Sequence, residues 1–121
     1  MPTRLRTDAE LARAFTAERF LLFKHSLTCP ISAVAFEEYE RWAAAHPEWA
    51  TGWIDVVKER PLARAVAERT GIRHESPQAI LLAAGEPRWN ASHSAITQAS
   101  LDAAMGRSAG QGGAPSRAVA P

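Results

Sequence analysis

The stretch FLLFKHSLTCPIS, residues 20–32, decides the fold of this chain. Its first four residues, Phe20 to Phe23, form a continuous apolar run of strand length, which is typical of a strand covered on both faces. Residues 24–28 are predicted to form a turn. Cys29, the only cysteine of the chain, follows directly and stands before Pro30, which favours the first position of a helix. This is the setting in which a protein presents a reactive sulfur.

Length and composition narrow the class of protein. A chain of 121 residues suits one compact domain. Lys and Arg number 14 and Asp and Glu number 13, so the charge balance predicts neither a nucleic-acid nor a membrane partner. No run approaches the ~18 apolar residues of a membrane helix. A single cysteine cannot form an internal disulfide, and we therefore expect a reducing, cytoplasmic location.

Helices and strands alternate along the rest of the chain. Thr7 and Glu10 form a capping-box pattern at the start of the first helix, and Gly71 is placed to end the third. The predicted helices are 8–17, 30–46, 61–71 and 97–105, and the predicted strands are 20–23, 52–57, 78–83 and 88–91. The last two strands are close enough to form an antiparallel hairpin, whereas the strand–helix–strand unit before them requires a parallel crossover.

This order predicts an α/β, thioredoxin-like fold, with a mixed four-stranded sheet and helices on both faces. The predicted domain spans residues 1–106. Residues 107–121 are rich in Gly, Ala, Ser and Pro and lack an apolar period, so we expect a disordered C-terminal tail.

The helix that follows Cys29 suggests a chemistry for the sulfur. Unpaired N–H groups and the helix dipole favour negative charge at this end, where thiols ionise more readily than free cysteine. The thiolate is the nucleophile of disulfide exchange, so Cys29 is the predicted catalytic residue. The predicted thiolate-stabilising residues are Lys24, His25, Thr28, Pro30 and Ser32. Ser32 has the alternative of bonding to the backbone, and Lys24 and His25 have that of simply ending the strand.

Ser32 stands where dithiol enzymes carry a second cysteine. The sequence Cys-Pro-Ile-Ser therefore requires an external thiol to release any mixed disulfide formed on Cys29. We predict no metal site, because one cysteine without a nearby cluster of histidines does not match zinc-ligand spacing.

Three stretches carry a resemblance to a known family: FKHSLTCPIS at 23–32, HESPQAILL at 74–82 and WNASHSAIT at 89–97. They resemble the YtxJ-type monothiol bacilliredoxins, small thioredoxin-like proteins of the bacillithiol system. The resemblance covers roughly residues 5–105, and it departs at Ser94, where an aromatic residue is expected.

The resemblance implies that Cys29 removes bacillithiol from S-bacillithiolated cytosolic proteins. Bacillithiol would be the co-substrate, no cofactor would be bound, and the partners would be this small thiol and its S-thiolated client proteins. In thioredoxin-like proteins the proline at the Ser76–Pro77 position is cis and abuts the reactive sulfur. By fold analogy the small thiol would lie across this loop, touching Glu75, Ser76, Pro77, Lys24, Ser92 and His93.

Two alternatives remain open on the sequence alone. One is a non-catalytic thioredoxin-like module whose cysteine serves redox sensing or binding. The other is a monothiol, glutaredoxin-like reductase that uses glutathione or mycothiol instead of bacillithiol.

Overall fold

The computed structural model describes residues 2–111 of the chain, and the side chains of residues 2–106. The strands are β1 (Thr3–Arg4), β2 (Arg19–His25), β3 (Thr51–Asp55), β4 (Gln78–Ala83) and β5 (Glu86–Ser92). The helices are α1 (Asp8–Thr16), α2 (Pro30–Ala45), α3 (Arg60–Thr70) and α4 (Gln98–Gln111), with a short 3-10 turn at His93–Ala95. Among the helices described, none has the length and apolar character needed to cross a membrane.

The described strands form one mixed sheet in the order β1-β3-β2-β4-β5. Strand β3 is parallel to both β1 and β2, and β4 is antiparallel to both β2 and β5. The α/β class, the parallel crossover and the hairpin are thus confirmed. The predicted count of four strands is one too low, because β1 is only two residues long. Such a segment is too short to carry an apolar alternation.

Apolar cores cover both faces of the sheet. The core beneath α1 and α3 consists of Leu5, Leu11, Ala14, Leu22, Ile54, Leu62, Ala63, Val66, Ile80 and Leu82. The core beneath α2 and α4 consists of Leu21, Phe23, Ala35, Tyr39, Trp42, Ala79, Leu81, Ile96, Leu101 and Met105. Successive residues of β2 therefore enter opposite cores, which explains its unbroken apolar sequence.

The prediction that a turn begins at Lys24 is wrong. Lys24 and His25 continue β2, where they pair in register with Ile54 and Asp55 of β3, and both are buried. Their polar groups find partners inside the molecule, which a sequence pattern of apolar residues does not reveal. The turn consequently starts at Ser26, much closer to Cys29.

Several helix ends follow local sequence signals. The Thr7 hydroxyl accepts a hydrogen bond from the Glu10 N–H at 3.1 Å, and the Glu10 carboxylate accepts one from the Thr7 N–H at 3.2 Å, so the capping box is confirmed. Gly71 ends α3 in the left-handed conformation, with φ of 74°. Helix α4 extends beyond its predicted end and includes residues 107–111 of the predicted tail. Residues 112–121 lie outside the described residues.

Candidate functional site

Cys29 lies at the edge of the sheet where the parallel strands β2 and β3 end. It is the N-cap of α2, with an extended backbone (φ −108°, ψ 121°) and Pro30 directly after it. The Cys29 carbonyl accepts a hydrogen bond from the Ala33 N–H at 3.0 Å, which starts the helix. The residue is partly exposed, and among the described residues its side chain makes no capping hydrogen bond. The residue that carries the thiol is therefore partly accessible and lies beside the positive end of the helix.

The turn before the cysteine is held by short contacts. The Cys29 N–H donates to the Ser26 carbonyl at 3.3 Å, and the Ser26 and Thr28 hydroxyls lie 3.3 Å apart. Thr28 and Pro30 were both predicted to stabilise the thiolate. In the structure the Thr28 hydroxyl bonds within the turn, and Pro30 is the first residue of α2. Both positions shape the backbone around the sulfur.

Ser32 faces the sheet rather than the sulfur. It is fully buried, and its hydroxyl oxygen accepts a hydrogen bond from the Ser26 N–H at 2.9 Å and lies 2.7 Å from Nδ1 of His25. None of the side-chain hydrogen bonds of the described residues reaches the sulfur, so the predicted bond from Ser32 to Cys29 is absent. The alternative, a hydrogen bond to the backbone, is observed at Ser26. The second partner, His25 of β2, was not predicted.

His25 lies in an aromatic cluster on the same face. Its ring stacks on Phe36 with centroids 4.1 Å apart and planes 5° apart, and the Trp53 ring meets it edge-on at 5.5 Å. Burial lowers the pKa of His25 below its ordinary value, and the nearby Asp55 carboxylate opposes this only in part. The imidazole is therefore neutral at neutral pH and does not supply the positive charge that the sequence suggested.

Asp55 is a functional-site neighbour that the sequence analysis did not identify. It is buried at the end of β3, and its carboxylate accepts hydrogen bonds from the N–H groups of Val57 and Lys58, both at 3.0 Å. The Arg4 guanidinium lies 3.4 Å from the other carboxylate oxygen. An aspartate at the end of a strand, just before a turn, was the available signal.

Lys24 lies on the opposite face of the sheet from His25, because successive strand residues alternate. Its ammonium is buried and donates a hydrogen bond to the Gln78 amide oxygen at 3.2 Å. Burial lowers the pKa of Lys24 to about 8, and the Glu75 carboxylate acts in the other direction. Lys24 is thus charged at neutral pH, and it lies beneath the loop before Pro77 rather than on the surface.

The loop before β4 reaches the same sheet edge as Cys29, because β4 runs antiparallel to β2. The Ser76–Pro77 peptide bond is cis. The Pro77 carbonyl accepts a hydrogen bond from the His93 N–H at 3.0 Å, and His93 Nε2 lies 3.8 Å from a Glu75 carboxylate oxygen. Ser92 ends β5 beside them. The structure therefore brings together the residues predicted to contact a small thiol, apart from the buried Lys24.

Four large apolar side chains are exposed on the segments that flank the cysteine in sequence and on the loop after β3. We name them the apolar rim: Leu27, Ile31, Val34 and Val57, each more than half exposed. Leu27 and Ile31 lie two residues to either side of Cys29. The loop that carries Val57 is held to the end of β2 by a hydrogen bond from the Val56 N–H to the His25 carbonyl, at 2.9 Å.

Comparisons with known proteins agree with this geometry. Residues 3–101 match the family model for monothiol bacilliredoxin BrxC. A solved structure described as an oxidoreductase with a thioredoxin fold is 30% identical, with a TM-score of 0.81, over 86% of this chain and 93% of that chain. A mutant thioredoxin from Halobacterium salinarum is 20% identical, with a TM-score of 0.69, over 87% of this chain and 88% of that chain. Fasciola hepatica thioredoxin is 16% identical at the same TM-score, over 87% of this chain and 97% of that chain, and these two likenesses concern the fold alone.

The fold and the single thiol at a helix start define a thioredoxin-like protein with the site of a thiol oxidoreductase. More narrowly, the chain belongs to the monothiol bacilliredoxin family.

Proposed function

We propose that this protein removes bacillithiol from S-bacillithiolated proteins of the cytoplasm. The Cys29 thiolate attacks the bacillithiol sulfur of the mixed disulfide, and the client cysteine leaves as a thiolate that takes up a proton from water. Cys29 then carries the bacillithiol. A second bacillithiol thiolate attacks the bound bacillithiol sulfur, which gives bacillithiol disulfide and releases the Cys29 thiolate. In total, the client is reduced and two bacillithiol molecules are joined.

The observation that carries the proposal is the position of Cys29 in a chain of this family. Cys29 is partly exposed at the start of α2, and the positive end of a helix is a favourable place for the negative charge of an attacking or leaving group. Ser32 occupies the position of a second cysteine and is fully buried. An incoming small thiol is therefore needed to complete each turnover.

The loop at Pro77 supports a small-thiol site next to the sulfur. Glu75, Ser76, Ser92 and His93 lie at the same sheet edge as Cys29, with one end of the loop fixed by the bond from His93 to Pro77. Lys24 affects this site only indirectly. Its buried ammonium donates a hydrogen bond to Gln78, the residue at which the loop ends and β4 begins. We propose bacillithiol rather than another small thiol because the chain belongs to the monothiol bacilliredoxin family.

The apolar rim supports a protein, rather than a free disulfide, as the molecule that delivers the bacillithiol. A client whose sulfur reaches Cys29 also approaches Leu27 and Ile31. The four rim side chains are each more than half exposed. Apolar side chains on the segments beside Cys29 offer a client protein contacts that a small disulfide does not make.

Turnover on a bacillithiolated model protein tests the proposal. With excess bacillithiol, we expect catalytic release of the client thiol by the wild-type chain and none by Cys29→Ser. Parallel assays with glutathione and mycothiol identify the preferred thiol, and bacillithiol should be the fastest. Thiolation of Cys29 without repeated release of client would instead make the protein a non-catalytic module.

A further inference from the structure

The loop of residues 73–77 has no regular secondary structure, so contacts with other segments determine its conformation. In the described part of the chain two hydrogen bonds hold it, one at each end. The Gln78 amide nitrogen donates to the Arg73 carbonyl at 3.1 Å. The His93 N–H donates to the Pro77 carbonyl at 3.0 Å. The segment between these two bonds belongs to the proposed small-thiol site.

The Lys24 ammonium lies beneath this loop and acts on its first three residues. It is fully buried and donates to the Gln78 amide oxygen at 3.2 Å, and the other end of the same amide holds the Arg73 carbonyl. Burial, and after it the charge of Lys24, lowers the pKa of His74. The Glu75 carboxylate in turn partly opposes the effect of burial on the pKa of Lys24. Three consecutive loop residues thus depend on one buried charge.

The Glu75 carboxylate connects Lys24 to the other end of the loop. One of its oxygens lies 3.8 Å from Nε2 of His93. The backbone N–H of the same histidine is the donor to the Pro77 carbonyl. Contacts from both ends of the loop therefore lead to the same ammonium, and its loss would loosen both ends at once.

The stability of the fold does not account for a charge in this place. Burial lowers the pKa of Lys24 from 10.5 to about 8, so the folded chain holds the proton at neutral pH at a cost in free energy. A methionine has a similar length and would fill the same space without that cost. Groups that lower stability in this way are typical of functional sites, where activity and stability conflict.

We propose that Lys24 is a positioning residue for the small-thiol site, because its buried ammonium fixes the loop of residues 73–77 in the conformation that binds the thiol. The inference rests on the proposed function, in which this loop contacts the bacillithiol carried by Cys29. Lys24 does not touch the thiol, since its side chain is fully buried. It acts through the Gln78 amide and through the charge of Glu75.

Substitution of Lys24 by methionine separates an effect on the loop from an effect on the sulfur. We expect Lys24→Met to lower kcat/KM for a bacillithiolated model protein about tenfold, because a loosened loop holds the bacillithiol group less well. Alkylation of Cys29 by iodoacetamide needs no small-thiol site and should keep its rate. Lys58→Met, at the exposed second lysine, should change neither quantity. Slower alkylation of Lys24→Met would mean that the ammonium acts on the thiolate, which would overturn the inference.

Hydrogen exchange measures the loop with no small thiol present. The His93 N–H, which bonds to the Pro77 carbonyl, should exchange about tenfold faster in Lys24→Met, although the substitution stabilises the whole domain. A lysine that only filled the core would leave this exchange unchanged or slower once replaced. The internal reference is the Leu5 N–H, bonded to the Trp53 carbonyl at 2.7 Å on the other side of β2, and it should not accelerate. Unchanged exchange at His93 contradicts the inference.

A double-variant cycle tests whether the ammonium acts through Gln78. Gln78→Leu removes the amide that joins Lys24 to Arg73. Adding Lys24→Met to Gln78→Leu should therefore lower kcat/KM by much less than the tenfold loss it causes alone. Losses that multiply in full would show independent effects and overturn the inference. If Gln78→Leu folds poorly, the exchange measurement on Lys24→Met still decides.

Failure of the inference and failure of the proposed function give different results. Alkylation and hydrogen exchange use no bacillithiol. Accelerated exchange at His93 in Lys24→Met, in a protein that does not release client thiol, would overturn the proposed function and leave the loop assignment in place. Normal turnover by Lys24→Met with unchanged exchange would overturn the inference alone.

Discussion

Lys24 and Gln78 pair across β2 and β4, and the Lys24 ammonium donates a hydrogen bond to the Gln78 amide oxygen at 3.2 Å. Gln78 in turn donates from its amide nitrogen to the Arg73 carbonyl at 3.1 Å. A buried cation at the end of the central strand is thus connected to the loop before Pro77. Burial lowers the pKa of Lys24 to about 8, so holding the charge at neutral pH costs free energy.

We expect Lys24→Met to raise the free energy of unfolding at pH 7 by roughly 1–2 kcal/mol. A pKa lowered from 10.5 to about 8 corresponds to a penalty of ~3 kcal/mol for the buried ammonium. Loss of the donor to Gln78 offsets ~1–2 kcal/mol of the gain. Urea denaturation of both proteins at pH 7 measures the difference.

The same substitution should change the pH dependence of stability. Between about pH 8 and 10.5 the unfolded chain retains the Lys24 proton while the folded chain loses it, so the free energy of unfolding rises with pH. Below pH 8 both states hold the proton and Lys24 adds no slope. Lys24→Met should lack this rise, whereas Lys58→Met, at the exposed second lysine, should keep it. A rise that persists in Lys24→Met would assign it to another group.

Substitution of the apolar rim should separate protein substrates from small ones. We expect Leu27→Ser and Val34→Ser each to lower kcat/KM for a bacillithiolated protein about fivefold, because each removes apolar area that the client would cover. Reduction of a small symmetrical disulfide should not change, since Cys29 is untouched. Glu37→Ser, on the exposed side of α2, is the control for helix effects. Equal losses on both substrates would contradict the role of the rim.

Local signals explain how much of the fold the sequence could predict. The capping box at Thr7, the end of α3 at Gly71 and strand β4 each depend on residues within a few positions of one another, and all three were predicted. Strand β1 was not predicted, because two residues are too few to show the alternation of apolar and polar residues that indicates a strand. The length of β2 depends on Lys24 and His25, which are buried only because partners from distant segments satisfy them.

The functional site also has features that depend on nearby residues and features that depend on distant ones. Cys29 at the start of α2 could be predicted because Pro30 and the preceding apolar strand are local signals. The direction of the Ser32 hydroxyl could not, because it depends on where His25 lies in the folded sheet. Asp55 had a local signal, its place before a turn with the Val57 and Lys58 N–H groups as partners, and this signal was overlooked; only its pairing with Arg4 depends on β1 joining the sheet.

The hairpin between β4 and β5 offers a stabilising substitution far from the cysteine in sequence. Ala84 and Gly85 form its two-residue loop with φ of 50° and 85°, a conformation that favours Asn-Gly. Ala84→Asn should therefore raise the unfolding free energy by about 0.5–1 kcal/mol. Gly85→Ala should lower it, because the new Cβ would lie 2.7 Å from the Phe15 carbonyl oxygen. Thermal unfolding of both variants measures the predicted rise and the predicted fall in stability. Stabilisation by Gly85→Ala would contradict the assigned turn.

The start of helix α4 is bonded to a side chain of another helix, α2. A Glu38 carboxylate oxygen on α2 accepts a hydrogen bond from the Gln98 N–H, the first of α4, at 2.8 Å. We expect Glu38→Ala to cost about 1–2 kcal/mol, because the amide loses a charged acceptor at the positive end of a helix. Hydrogen exchange at Gln98 should accelerate correspondingly. Glu37→Ala, the exposed neighbour on the same helix, should change neither quantity, and equal effects of the two substitutions would show that helix propensity rather than the anchor is responsible.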